Sequence, residues 1–162
     1  MPHVLLKSIT FLESLTAELS IDARTRPIYE KSSKIGEHVL FVIENTDLFG
    51  IVQMITTLLL TFNEPFKVSA STQSQLTLLP QTIMSLAIMS IKVLNNIIRM
   101  EYKMIQKILL KDGSDHIYHL LHFLLSYSEA NIDKEEACED VKEILNESLL
   151  FIGYYCLLNE ES

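Results

Sequence analysis

The residues in this sequence with the clearest potential for chemistry are three histidines spaced three apart, in the stretch DHIYHLLHF. Histidines on one helix converge on a metal ion when they stand four apart, or three apart with carboxylates beside them. His116, His119 and His122 would each be turned by about 60° from the last on a helix, so the three do not meet at one ion. Cys138 and Cys156 could add a ligand, but no spacing requires it. The pattern predicts surface or interfacial histidines, with no metal and no other cofactor.

Other catalytic patterns are also missing from the sequence. No serine occupies the strand-to-helix turn of a G-x-S-x-G motif, which exposes the nucleophile of many hydrolases. No glycine-rich loop of the kind that cradles phosphate groups is present. The sequence therefore predicts a protein that is not an enzyme.

The composition favours helices and excludes one class of partner. Only four glycines and four prolines occur among abundant Leu, Ile, Met, Glu and Lys, which are good helix formers. The net charge of -8 argues against direct binding of nucleic acid, which requires cations facing the phosphates. The two cysteines fall 18 residues apart on one predicted helix, roughly 27 Å, which is too far for a disulfide bond. A reducing compartment, cytoplasmic or nuclear, is expected.

Apolar periodicity divides the first half of the chain into helices and loops. It predicts a helix over residues 4–19, a loop over about 20–36 that contains Pro27 and Gly36, and a short helix over 37–44. A second apolar helix is predicted over 48–62, and a polar inserted loop over about 63–79.

The second half is predicted to be more continuously helical. Pro80 is placed as the first residue of a long helix whose part from 83 to 100 is apolar on nearly every side, which is typical of a buried helix. Gly113 marks a helix end, and further helices are predicted over 114–127 and 133–158.

These elements predict a single all-α domain over residues 1–162 with six or seven helices. A buried central helix and a long apolar final helix favour stacked helical hairpins of the armadillo or HEAT kind, in which each pair of helices covers its neighbour. No repeat period is visible, and a helical bundle is the alternative.

Two charged stretches are candidate partner surfaces. Arg99, Lys103, Lys107 and Lys111 stand four apart, which keeps the cations near one side of a helix. They form either a ridge for an acidic partner or the solvated side of a helix. Reversal of the three lysines to Glu is expected to weaken partner capture without lowering the melting temperature.

The acidic stretch 129–147 offers the same two interpretations. It contains eight acidic residues and two lysines, so its net charge of -6 accounts for most of the net charge of -8 of the chain. Acids near Asp133 also suit the start of a helix, where they interact with the macrodipole. Outward-facing basic and acidic stretches would make the domain strongly dipolar.

The uncharged run 149–158 is the third candidate surface. Ten residues are too few to span a bilayer, which needs about 20, so no membrane span is expected. Gly153 allows a neighbouring backbone to approach closely, and Tyr154 and Tyr155 bring hydroxyls that need partners at a buried edge. Together with Phe151 they form a candidate partner-binding face, either part of the core of this domain or a surface for the next pair of helices.

Four stretches of the sequence point to a family when they are taken in order: NTDLFGIVQMI, TIMSLAIMSIKVLNNII, IQKILLKDG and LLFIGYYCLLN. Their order and spacing resemble the C-terminal helical region of the family of S-phase cyclin A-associated proteins of the endoplasmic reticulum. The resemblance covers residues 40–159, and its most specific pieces are Asp-Leu-x-Gly at 47–50 and Gly-Tyr at 153–154 followed by Asn159. The family continues past this asparagine into further helices, so the resemblance implies a truncated member, a fragment of a longer helical region.

The resemblance implies a non-enzymatic adaptor or scaffold that acts through protein–protein contacts in the cell cycle and in mRNA decay. It implies cyclin A or a deadenylase complex as partners, in a cytoplasmic, endoplasmic reticulum-associated or nuclear location. No catalytic residue is carried over from it. The alternative is an unrelated helical bundle that forms a homodimer through its C-terminal helix.

Overall fold

The structure is a computed structural model, and it describes residues 2–25, 37–38, 41–42, 45, 78–100, 106, 114–135 and 138–156. Within these ranges it contains four long α-helices and no strand. They are α1 (Pro2–Thr25), α2 (Gln81–Met100), α3 (Ser114–Asn131) and α4 (Cys138–Cys156).

Helix α1 runs further than its apolar periodicity predicts. It reaches Thr25, so the first residues of the predicted loop at 20–36 are helical. The residue before a proline is disfavoured in the α region, and Arg26 precedes Pro27. No residue in 20–25 breaks the helix, so it continues to Thr25, the last residue before the one that the proline restricts.

Polar residues inside α1 are accommodated by the helix backbone itself. The hydroxyls of Ser8, Thr10, Ser14 and Thr16 each donate to the carbonyl oxygen four residues earlier, at 2.7 to 3.0 Å. Such bonds satisfy a hydroxyl without any tertiary partner. The helix can consequently place apolar and hydroxyl residues on the same face.

Helix α2 is the buried centre of the described structure. The carbonyl of Pro80 accepts the backbone N–H groups of Ile83 and Met84, so the proline caps the helix immediately before its first residue, one position earlier than predicted. Buried side chains cover most of the circumference of α2 from Ile83 to Ile98. The prediction that this helix is buried rather than amphipathic is confirmed.

Helices α3 and α4 meet through a short reversal. Asn131 closes α3, since its buried side-chain amide donates to the carbonyl of Tyr127 at 2.8 Å and its side-chain oxygen accepts from Lys134. With this closure α3 ends at Asn131, four residues beyond its predicted end at 127, and α4 begins at Cys138 instead of the predicted residue 133. Glu139 and Asp140 in the first turn of α4 then suit the positive end of its dipole.

The helices pack around α2, with α1 and α4 against it and α3 against α4. Side-chain contacts advance together along α2 and α4, from Lys92–Glu143 to Asn95–Glu147 to Arg99–Tyr154. These two helices are therefore parallel. Helix α3 runs the opposite way, because Tyr127 near its end lies beside Met84 near the start of α2.

One continuous apolar core joins α2, α3 and α4. Its buried members are Leu79, Ile83, Met84, Ala87, Ile88, Ile91, Val93, Leu94, Ile97, Ile98, Ile117, Leu120, Phe123, Leu124, Tyr127, Val141, Ile144 and Phe151. Leu79 belongs to the predicted polar loop at 63–79, yet it is buried and its N–H donates to the Tyr127 hydroxyl at 3.2 Å. The end of that segment is thus part of the core.

The described helices confirm the all-α character of the chain. Helical backbone at 37–38 and 41–42 also agrees with the short helix predicted there, whereas the helix predicted at 48–62 lies outside the described residues. Among the described helices, only α2 is long and apolar enough to cross a membrane, and 72% of that stretch is buried inside the protein. One such helix is weak evidence for a span, because the core helix of a globular domain has the same length and composition.

Candidate protein-interaction surface on the last helix

Helix α4 exposes apolar residues on one side of its C-terminal half. Leu149 is 53% exposed and Leu150 42% exposed, and Gly153 and Cys156 are exposed on the same side. A Cβ atom added at Gly153 would have no neighbour within 4 Å, so the space in front of the glycine is open. We call Leu149, Leu150, Gly153 and Cys156 the outer face of α4.

The opposite side of the same segment is part of the core. Phe151 is only 3% exposed, and its ring is stacked with that of Tyr155 at a centroid distance of 6.2 Å and an angle of 13°. Burial raises the pKa of the Tyr155 hydroxyl, with a smaller contribution from Cys156. Phe151 and Tyr155 therefore stabilise the domain, and the residues free to meet a partner are those of the outer face.

Tyr154 is held by Arg99 of α2. The Arg99 Nε donates to the Tyr154 hydroxyl at 2.6 Å, and the guanidinium carbon lies 5.0 Å from the centre of the ring. Arg99 and Tyr154, which were both predicted to bind a partner, therefore bind each other within the chain. The remaining cations of the predicted ridge, Lys103, Lys107 and Lys111, lie outside the described residues.

The C-terminal end of α4 is capped by a side chain from another part of the chain. The buried amide of Gln106 donates to the backbone carbonyls of Tyr154 and Tyr155, at 3.0 and 2.9 Å. These bonds tie the last described turn of α4 to another part of the chain. Arg99 and Gln106 together fix the last turn of α4, and with it the position of the outer face.

A seam of polar contacts joins α2 and α4 along their length. Lys92 forms an ion pair with Glu143, and Asn95 donates to the Glu147 carboxylate at 2.7 Å and to the Glu147 carbonyl at 2.9 Å. The hydrogen bond with Glu143 is the main cause that raises the pKa of Lys92, against an opposing desolvation effect. Asp140, Glu143 and Glu147 of the stretch 129–147 consequently contact α2 while remaining partly exposed to solvent.

The sequence contained a signal for this seam. Asp140, Glu143 and Glu147 are spaced three and four apart, and so are the polar residues Lys92, Asn95 and Arg99 that interrupt the apolar helix α2. Matching polar stripes on two helices indicate facing surfaces. Gln81 completes the seam by donating to the Asp140 carboxylate at 2.7 Å.

The described part of the histidine stretch, with Tyr118, His119 and His122, forms an exposed aromatic group. Tyr118 is exposed, and its ring centre lies 5.8 Å from that of His119 and 6.1 Å from that of His122. The side chain of His116 lies outside those that the structure describes. In the described part of the chain, no three His, Cys, Asp or Glu side chains are grouped as a metal ion would require.

Comparisons with known proteins give no relationship for this chain. No protein-family model matches it, and neither a curated protein nor a solved structure is similar to it. The resemblance to the cyclin A-associated family stays a prediction from the sequence.

Proposed function

We propose that this chain is a non-enzymatic helical scaffold that binds a protein partner on the outer face of α4. The observation that carries the proposal is the exposure of Leu149 and Leu150 beside an open glycine. An apolar patch on a rigid helix, with space for a second backbone, fits the packing of another helix. The bonds from Arg99 and Gln106 hold that face in one position, so little ordering is needed when a partner binds.

The arrangement of α2, α3 and α4 supports stacked helical hairpins as the architecture. In such a stack, equivalent helices of successive hairpins are parallel neighbours, as α2 and α4 are, and each terminal helix has a face that the next pair would cover. A three-helix bundle also has parallel first and third helices. The open face of α4 is what favours the stack over a closed bundle.

The resemblance to the cyclin A-associated family suggests what the partner is. On this proposal the chain is an adaptor that binds cyclin A or a deadenylase complex, in the cytoplasm, at the endoplasmic reticulum or in the nucleus. The partner contributes apolar anchors opposite Leu149 and Leu150, and a few such buried anchors supply most of the binding energy. Charged residues outside the face affect the rate of association more than the affinity.

The decisive experiment compares two variants of the full chain in proximity labelling and reciprocal capture. Leu149→Glu places a charge on the outer face, and Tyr118→Glu places the same charge at an exposed position on α3. We expect Leu149→Glu to lower capture of the labelled partner at least tenfold, and Tyr118→Glu to leave it unchanged, with melting temperatures near that of the wild type. Equal capture by the wild type and Leu149→Glu would contradict the proposal.

The predicted basic ridge is tested by a second variant. Simultaneous reversal of Lys103, Lys107 and Lys111 to Glu removes the three ridge cations that lie outside the described residues. A slower association of the same partner, with an unchanged melting temperature, is expected if the ridge steers an acidic partner towards the chain. An unchanged association rate assigns these lysines to a solvated helix side.

A homodimer through α4 is the second candidate, and the same outer face favours it. Two copies related by a twofold axis would bury Leu149 and Leu150 against each other. Light scattering on the purified chain measures this directly. A stable dimer that Leu149→Glu converts to a monomer would support this alternative.

A further inference from the structure

Helix α1 carries a second exposed apolar stripe. Val4, Phe11 and Leu15 point to solvent on one side of the helix, and Phe11 is 68% exposed. At 100° per residue this stripe lies about 130° round the helix from Ile9 and Thr16, the buried residues of α1. Thr16 faces α2, where its hydroxyl accepts from Asn96 at 3.3 Å. The stripe is therefore a surface that α2 does not cover.

Four residues on one side of α4 have the same spacing as four residues of α1 when the two helices are aligned in opposite directions. Val4, Phe11, Leu15 and Glu18 are separated by seven, four and three residues, and so are Cys156, Leu149, Leu145 and Lys142. In an antiparallel pair with this register Phe11 lies opposite Leu149, and the unlike charges Glu18 and Lys142 meet about 21 Å from Val4.

Small residues lie opposite one another in the same register. Ser8 of α1 falls near Gly153 of α4, where the space beyond the glycine is open. Ser8 already donates its hydroxyl to the carbonyl of Val4 at 3.0 Å, so no unsatisfied donor is buried when the two backbones approach. Close approach at this point lets Phe11 and Leu149 pack on both sides of it.

We propose that α1 of one copy packs antiparallel on the outer side of α4 of a second copy. This inference rests on the proposed function in one respect, because it requires the outer face of α4 to be a docking surface. Lys142 forms an ion pair with Glu139 of its own helix at 3.7 Å, and the register with α1 brings the carboxylate of Glu18 to the same lysine, so charge complementarity favours α1 as the occupant.

The contact is heterologous, since two different surfaces meet. A pair of bound copies keeps one free α1 stripe, on one copy, and one free α4 face, on the other, so association continues into rings or open assemblies. Stacked helical hairpins would be extended in this way from one chain to the next. The assembly is expected to grow with concentration rather than stop at two copies.

Complementation of two variants tests the proposal on the full chain. Phe11→Glu damages only the α1 stripe, and Leu149→Glu damages only the α4 face. By sedimentation velocity we expect concentration-dependent oligomers of the wild type, monomers of each variant, and heterodimers but nothing larger in an equimolar mixture. A monomeric wild type at every concentration, or a Phe11→Glu variant that still dimerises, would overturn the proposal.

A charge exchange provides a second test that does not place a charge in the apolar contact. Glu18→Lys and Lys142→Glu are each expected to weaken self-association roughly fivefold, and the double variant to restore it. Failure of the double variant to recover would refute the register. If the chain never associates while Leu149→Glu still abolishes partner capture, the self-association is wrong and the proposed function stands.

Discussion

Arg99 and Tyr154 bind each other across the seam between α2 and α4, through an Nε–hydroxyl bond of 2.6 Å and a guanidinium 5.0 Å from the ring centre. The sequence predicts both as partner-binding residues, Arg99 as the first cation of the basic ridge and Tyr154 as a hydroxyl that needs a partner at a buried edge. In the structure they fix the last turn of α4. They position the outer face, on which we propose that a partner contacts Leu149 and Leu150.

Removal of either half of this pair is expected to destabilise the fold. Tyr154→Phe deletes one hydrogen bond and should lower the free energy of unfolding by about 1 kcal/mol. Arg99→Met also deletes the cation–π contact and should cost about 2 kcal/mol. Urea denaturation measures both, with Lys7→Met on the exposed side of α1 as a control expected to stay within about 0.5 kcal/mol of the wild type. Equal stability of the Arg99 and Lys7 variants would show that the pair contributes nothing.

Asn95 is the most sensitive position in the polar seam. It is 1% exposed, and its amide nitrogen donates to both the carboxylate and the carbonyl of Glu147. Asn95→Asp replaces that donor with a second acid of nearly the same shape, so two carboxylates face each other in a buried position.

We expect Asn95→Asp to lower the free energy of unfolding at pH 7 by about 3 kcal/mol. The deficit should shrink as the pH falls towards 4, because protonation of one carboxyl restores a hydrogen bond. Denaturation of the wild type and the variant at several pH values measures the difference. A deficit that does not change with pH would mean that Asn95 matters for packing and not for its bond to Glu147.

The Lys92–Glu143 ion pair predicts a loss of stability at alkaline pH. The hydrogen bond that Lys92 donates to Glu143, with the charges of Glu143, Glu147 and Glu13, raises the pKa of Lys92 above that of the unfolded chain. The folded state therefore binds the proton more tightly. The contribution of the pair is complete below about pH 10.4, the ordinary value for lysine, and is lost as the pH rises through the raised pKa.

The measurement is the difference in unfolding free energy between the wild type and Lys92→Met from pH 7 to 11. It should be constant at roughly 1 kcal/mol up to about pH 10 and then decline, since the pair is partly exposed. Burial also raises the pKa of Tyr127, with a partly opposing effect of the Leu79 N–H, so alkaline pH destabilises both proteins through the tyrosine. That effect cancels in the difference. A difference that grows above pH 10 would contradict the assigned sign.

The helices themselves could be predicted from the sequence, but several of their ends could not. Apolar periodicity located α1, α2, α3 and α4, because their lengths cover several turns. The end of α3 depends on Asn131 folding back onto the carbonyl of Tyr127, a contact that periodicity does not encode. Likewise Leu79 is buried because its N–H reaches Tyr127 on α3, 48 residues further along the chain.

The sequence named the segment 149–158 as a candidate surface, but it did not show which side of the helix is exposed. The run 149–158 is apolar at every position, so its composition does not distinguish an inward side from an outward one. Packing against α2 decides that Phe151 is buried and Leu149 exposed. The acids of 129–147 present the same difficulty, since a spacing of three and four fits a solvated side and a facing stripe equally well.

Gly153 provides a test that separates stability from binding. Glycine inside a helix is unfavourable relative to alanine by about 1 kcal/mol, and nothing in the structure lies within 4 Å of an added Cβ atom. Gly153→Ala should therefore raise the free energy of unfolding by up to about 1 kcal/mol. The same methyl group would hold a docked helix away from α4, so partner capture or self-association should weaken although the domain is more stable. The matched control is Ser126→Ala, a partly buried position on α3, for which no loss of binding is expected. Higher stability with unchanged binding would show that Gly153 does not admit a second backbone, and that partners contact Leu149 and Leu150 from farther away.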